Sequence, residues 1–162
     1  LNASMACPHC AHFHAENWPL LKANYIDTGR LRLTMQEILT EPAVAAFAMF
    51  QLARCGNVDG TEYFRRMGIL FERQRAIIGT GTVGGMVESL VTTGAEWGLT
   101  RAQIMASLND SSGQQRISRS IEVANAAGVT ATPTFFLNGR RVPDDFATPA
   151  GMVRTLNAAL PR

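Results

Sequence analysis

Apolar residues recur at helical spacing from the start of the chain. Cys7, Phe13, Leu20 or Leu21, and Tyr25 keep the period until Asp27-Thr28-Gly29 stops the run. Pro19 inside this stretch predicts a kink. Leu31, Leu33 and Met35 then alternate with Arg32, Thr34 and Gln36, the period of a half-buried strand. Thr40 and Pro42 supply cap and first-turn signals for a helix running to Cys55 and Gly56. Tyr63, Phe64, Met67, Leu70 and Phe71 mark a second helix, residues 83 to 97 a weaker third, and Thr100 with Gln103 a capping box that opens a short fourth. A fifth runs from Gln114 to Ala127, with Ile117, Ile121 and Ala124 in register and Gly128 as its stop. Residues 41 to 127 therefore read as wholly helical. The pattern then reverts: residues 132 to 142 predict a strand, an Asn138-Gly139 hairpin turn and a second strand. Thr148 and Pro149 open a last helix with apolar positions at Met152, Val153, Leu156 and Leu160.

A chain of 162 residues with 46% hydrophobic and 17% charged residues is one globular domain's worth of sequence. The net charge of +2 and the scattered basic residues, densest at Arg65-Arg66 and Arg140-Arg141, argue against nucleic acid as a partner. No apolar run approaches the roughly 18 residues of a membrane span, so no membrane insertion is expected. The chain begins at Leu1 rather than Met, as expected of a processed or trimmed product, and no signal peptide is visible.

Candidate chemistry concentrates in Met5-Ala-Cys7-Pro8-His9-Cys10-Ala-His12-Phe13-His14. With three cysteines in all, a disulfide scaffold is excluded. Cys55 falls near a helical stripe with Val44, Ala48 and Leu52 and reads as a buried core thiol. Pro8 suits the first helical position, which makes Cys7 the N-cap. The sulfur then sits among free backbone N–H groups and the positive end of the helix dipole, and a protonated His9 would add to both effects. Cys7 is thus expected to be an acidic, exposed nucleophile, with Cys10 one turn on as the resolving thiol. A metal site on Cys7, Cys10 and His14 is the main alternative, with His12 turned away from it, and a purely structural disulfide is another. His12 and His14 are expected at the surface or in a groove. Gly79-Thr-Gly-Thr-Val-Gly84 matches a dinucleotide fingerprint, but what precedes it has helical period, so it reads as an interhelix loop. Thr132-Pro133 at the head of a strand avoids breaking the ladder.

The combination of Ser4-Met-Ala-Cys-Pro-His-Cys-Ala-His-Phe-His14, a helical insert, and Gly128-Val-Thr-Ala-Thr-Pro-Thr-Phe-Phe-Leu-Asn-Gly-Arg-Arg-Val142 resembles the DsbA-like branch of the thioredoxin superfamily. The resemblance implies an α/β thioredoxin fold with an inserted helical domain. Residues 1–40 and 128–162 would form the two parts of the thioredoxin fold and residues 41–127 the insertion. It implies a cis-proline loop at Thr132-Pro133 that packs beside Cys7 and Cys10 and holds extended substrate chains. The implied activity is that of a protein dithiol-disulfide oxidoreductase without a cofactor, donating disulfides to exported thiol-containing proteins in the bacterial periplasm. A membrane quinone-linked partner would reoxidise it. The same site run as a reductase or isomerase is the second enzyme reading, and a zinc-binding module on Cys7, Cys10 and His14 is the reading from another class. Two residues depart from the family pattern: His14 stands where the best-known members carry an acidic residue, and Thr132 where some strongly oxidising members carry valine. A helix opening with a reactive Cys-x-x-Cys normally follows a strand, yet only Leu1-Asn2-Ala3 precede the motif region. That strand is therefore expected to be missing or supplied by another chain.

Overall fold

The computed structural model describes residues 1–160. Strand β1 (Asn2–Ala3) leads through a short loop into helix α1 (Pro8–Leu21), which widens after Pro19 into a π-helical turn at Lys22–Ile26. β2 (Gln36–Glu37) returns parallel to β1, with Asn2 opposite Gln36 and Ala3 opposite Glu37. Five helices follow: α2 (Ala43–Arg54), α3 (Gly60–Ile78), α4 (Val83–Ala95), α5 (Arg101–Leu108) and α6 (Ser111–Ala126). β3 (Phe136–Leu137) and β4 (Arg140–Arg141) form an antiparallel hairpin, and α7 (Pro149–Ala159) closes the described chain. An antiparallel bridge between Asn2 and Thr134 joins the two strand pairs, so the strands run in the order β2, β1, β3, β4. β1 is central.

The expected absence of a strand before α1 is corrected by this arrangement. Asn2–Ala3 are that strand, held on one side by Gln36 N–H to Leu1 O at 2.7 Å and on the other by Asn2 N–H to Thr134 O at 2.8 Å. The strand expected over residues 31 to 36 is corrected too. Its ladder covers Gln36–Glu37, because Leu1 and Ala3 reach Thr34, Gln36 and Ile38 and nothing earlier. Local signals hold better. The Thr100–Gln103 capping box is formed in both directions. Asn138 and Gly139 both have positive φ, as a tight hairpin requires, and Thr148 caps α7 by accepting from Gly151 N–H. Thr40, expected to help open α2, instead donates to the buried Ser4 hydroxyl, while Pro42 takes the N-cap place.

Helix α1 stands between two cores. Cys10 belongs to the one built with α2 to α6, together with Met49, Phe50, Leu52, Met67 and Leu70. Phe13 belongs to the other, where it meets Phe135 at 4.6 Å, with Phe146, Met152 and Leu156 beyond. One helix thus packs the strand unit against the helical insert.

A charged knot ties these parts further. Glu37, 2% exposed, accepts from Arg54 at 2.6 Å, Tyr63 at 2.7 Å and Arg116 at 3.1 Å, which come from three helices of the insert. One carboxylate compensates two guanidiniums here, and losing it leaves both without their partner. Glu37→Gln is expected to cost about 3 kcal/mol of stability, measured as a lower denaturant midpoint; an unchanged midpoint would mean that the knot contributes nothing.

Candidate active site

Cys7 is the N-cap of α1, with extended backbone geometry (φ −80°, ψ 119°), and Pro8 occupies the first helical position. Its carbonyl accepts from Cys10 N–H at 3.1 Å and Ala11 N–H at 3.2 Å, which starts the helical ladder. Both Cys7 and Cys10 are free thiols. Cys7 is 6% exposed, which corrects the expectation of an exposed nucleophile: Thr132 lies over it, and the Cys7 thiol donates to the Thr132 carbonyl at 3.3 Å. The Thr132-Pro133 peptide bond is cis.

The two thiols differ strongly in acidity. Hydrogen bonding from the Cys10 thiol is the largest influence on Cys7 and brings it down to about 5; burial opposes this, while the Thr132 side chain and the amides of Cys10 and His9 reinforce it. Thr132 acts in both directions, since its carbonyl holds the thiol proton and its side chain favours the thiolate. Cys10 is pushed far up by the same hydrogen bond and by burial. The pair therefore holds one proton between two sulfurs over a wide pH range. His9 and Pro8 are exposed. The backbone N–H of His9 is among the groups that draw Cys7 down.

The remaining histidines separate. His12 is exposed, whereas His14 is half-buried, stacked on Trp18 at 5.4 Å and tilted against Phe71 at 5.4 Å. Burial pushes His14 down to about 4, so it is neutral near pH 7, and its Nε2 is buried without a hydrogen-bond partner. Gly68 of α3 leaves room for the ring; a Cβ there would lie 2.9 Å from it. Behind Cys10, an apolar pocket of about 20 Å³ is lined in part by Ala3, Phe13, His14, Met67 and Pro133. No group of three His, Cys, Asp or Glu side chains placed to hold a metal ion occurs among the described residues, so the set of Cys7, Cys10 and His14 does not assemble.

Cys55 is 5% exposed and donates to the Gln103 carbonyl at 3.6 Å, as a core thiol should. Of its expected stripe, Val44 is corrected: it is 61% exposed. Gly79–Gly84 spans the connection between α3 and α4 and the start of α4.

Two residues of the site escaped the sequence reading. Gln74 of α3, 7% exposed, donates through its one amide nitrogen to Met5 O at 2.7 Å and Cys7 O at 3.0 Å. Ser4, fully buried, accepts from Ala6 N–H at 3.2 Å and from Thr40 N–H at 3.1 Å. Gln74 did carry a signal, since it falls in register with the apolar positions Tyr63, Met67 and Leu70. A polar residue in an apolar stripe calls for a buried partner.

A Cys-x-x-Cys pair at the head of a helix, beside a cis-proline loop on a sheet with this strand order, defines a thioredoxin-type redox fold. The family model described as "Thioredoxin" matches residues 2–158, and the chain belongs to that family. DsbA proteins are among its solved likenesses. Wolbachia pipientis alpha-DsbA1 matches with a TM-score of 0.81 at 19% identity, covering 97% of this chain and 82% of that one. DsbA from Xylella fastidiosa matches with a TM-score of 0.69 at 21% identity, covering 97% and 82%. Among curated proteins, a Rickettsia felis protein provisionally named protein-disulfide oxidoreductase is 30% identical over 138 residues, covering 84% of this chain and 47% of its own length. The chain spans about half the length of the curated Rickettsia relatives that it matches. No helix among the described residues is long and apolar enough to cross a membrane.

Proposed function

We propose that this chain is a protein dithiol-disulfide oxidoreductase that works as an oxidant through Cys7 and Cys10. The observation that carries the reading is the placement of the pair: Cys7 at the N-cap, Cys10 one turn on in the core, and the carbonyl of the cis Thr132-Pro133 loop 3.3 Å from the Cys7 sulfur. These surroundings bring Cys7 down to about 5 and push Cys10 far up. In the oxidised enzyme a substrate thiolate attacks Cys7 Sγ, the Cys7–Cys10 bond breaks, and Cys10 leaves and takes up a proton. The second substrate thiolate then attacks the substrate sulfur of the mixed disulfide and releases Cys7 as a thiolate. Two electrons pass from the substrate dithiol to the cysteine pair, and the substrate leaves with a disulfide.

Anything that stabilises the reduced form makes the pair a stronger oxidant. A thiol at about 5 is ionised at pH 7, where an ordinary one is not, and after allowance for the solvent near the helix start this favours the reduced state by about 2 kcal/mol. That corresponds to a potential raised by about 40 mV. In this reading Pro8 and His9 shape the helix start, and Thr132 and Pro133 hold an extended substrate backbone beside the sulfur. Residues 1–40 and 128–162 form the catalytic unit, with 41–127 as its insertion. The substrates are exported thiol-containing proteins outside the cytoplasm, in the periplasm, and a membrane quinone-linked partner restores the disulfide.

The test is the equilibrium of the Cys7-Cys10 pair in graded glutathione buffers, with Cys55 replaced by alanine. The expected potential lies above about −180 mV. A value below about −270 mV would reassign the site to reduction.

A further inference from the structure

The position of Gln74 relative to the catalytic loop carries an inference that rests on the proposed function. Gln74 is a buried polar side chain of the helical insert, and both of its hydrogen bonds go to backbone carbonyls of the loop that delivers Cys7. The Met5-Ala6 peptide is thereby pinned at both ends: its carbonyl by Gln74 and its N–H by Ser4, which Thr40 holds in turn. The second bond falls on the Cys7 carbonyl, the same oxygen that starts the α1 ladder. These contacts fix the backbone on both sides of Ala6 and hold Cys7 in its extended cap geometry.

That geometry decides where the sulfur lies. The Met5 and Cys7 carbonyls are directed at Gln74 of α3, and an N-cap side chain reaches toward the first turn only with extended backbone angles at the cap. Without Gln74, the Met5 carbonyl is left buried without this donor, and rotation of its peptide plane becomes the route to a new partner. Such a rotation releases Cys7 from its extended cap geometry and shifts its sulfur relative to the start of α1 and the Thr132 carbonyl.

We propose that Gln74 is a positioning residue for the redox reaction: the helical insert holds Cys7 in its cap geometry by fixing two backbone carbonyls of the catalytic loop. Gln74 does not touch the reacting sulfurs. It acts through the Met5 and Cys7 carbonyls, so the insert is a working part of the site and its role exceeds that of a cover.

The test titrates the reduced full chain by thiolate absorbance near 240 nm, in a background with Cys55→Ala, for Gln74 and three variants. Gln74→Met keeps the volume and removes the donor. Gln74→Asn keeps the amide but is one methylene too short to reach both carbonyls. Gln74→His restores an N–H donor at similar reach. The Met and Asn variants are expected to raise the Cys7 titration by about one pH unit and to lower the equilibrium constant with glutathione about tenfold, with Gln74→His closer to the parent. Thermal midpoints are recorded alongside. A folded Met or Asn variant that titrates with the parent, whatever its midpoint, overturns the proposal, because a purely structural contact moves only the midpoint. Failure of all three variants to fold also overturns it and assigns Gln74 to the fold. A parent that shows no thiol titrating below neutrality instead refutes the functional reading beneath it.

Discussion

Cys7→Ser is expected to reduce oxidation of a dithiol peptide at least about a thousandfold, whereas Cys55→Ala leaves it unchanged. The expectation rests on the sulfur at the N-cap being the only one of the pair held as a thiolate near neutral pH. Serine at this place keeps the cap and the fold but cannot form a mixed disulfide. Cys10→Ser should lose dithiol oxidation as well, because no Cys7–Cys10 disulfide can form to take up the two electrons. Offered a disulfide-bonded peptide instead, its Cys7 thiolate attacks and one peptide sulfur leaves as a thiolate. The enzyme then accumulates as a mixed disulfide that Cys10 is not there to resolve, visible as a reducible mass increase. Oxidation that survives in Cys7→Ser would remove the site from the proposed function.

The reduced protein is expected to gain stability over the oxidised protein as pH rises. Cys7 titrates at about 5 in the folded chain and near 9 once unfolded, so between those values the unfolded state binds more protons. The contribution is fully present above pH 9 and is lost as pH falls through 5. At pH 7 about half of it remains, on the order of 2 kcal/mol. His14 is also held low by burial, and because that burial comes from Trp18 and Phe71 and not from the cysteines, its effect is expected to cancel from the difference. Paired denaturant unfolding of the two forms at pH 4.5, 7 and 9, with the disulfide intact in one set, measures the effect. A difference that is flat across this range would show that the thiolate gains nothing from folding.

The parts of this architecture written in short-range signals are legible in the sequence. Pro8 after Cys7 locates the start of α1, Asn138-Gly139 the hairpin, Thr100 with Gln103 the start of α5, and Thr148-Pro149 the start of α7. The pairing of Cys7 with Thr132-Pro133 is readable only through resemblance, because nothing local links residues 125 positions apart. What the sequence hides is partnership. Alternation at Leu31, Leu33 and Met35 reports which faces are apolar, but not how far the neighbouring strand reaches. Glu37 gives no local hint of its burial, since its partners lie 17, 26 and 79 residues away. His14 looks like a surface or metal-binding histidine until Trp18, Phe71 and the space left by Gly68 turn it into a neutral ring in an apolar wall.

The strand order has a consequence for when the chain becomes reactive. The central strand and the catalytic cysteines come first in the sequence, while the loop that covers Cys7 comes after all five helices of the insert. Contacts of such long separation form only after the loop-closure entropy of the intervening chain has been overcome. A single turn of α1 on its own is marginal in water, so the amides that draw down the thiol are not yet fixed in a growing chain. Until Thr132 arrives, Cys7 lacks the carbonyl that lies over it and one of the groups that draw it down. A half-made molecule thus carries both thiols of the pair before the loop that completes their surroundings is in place.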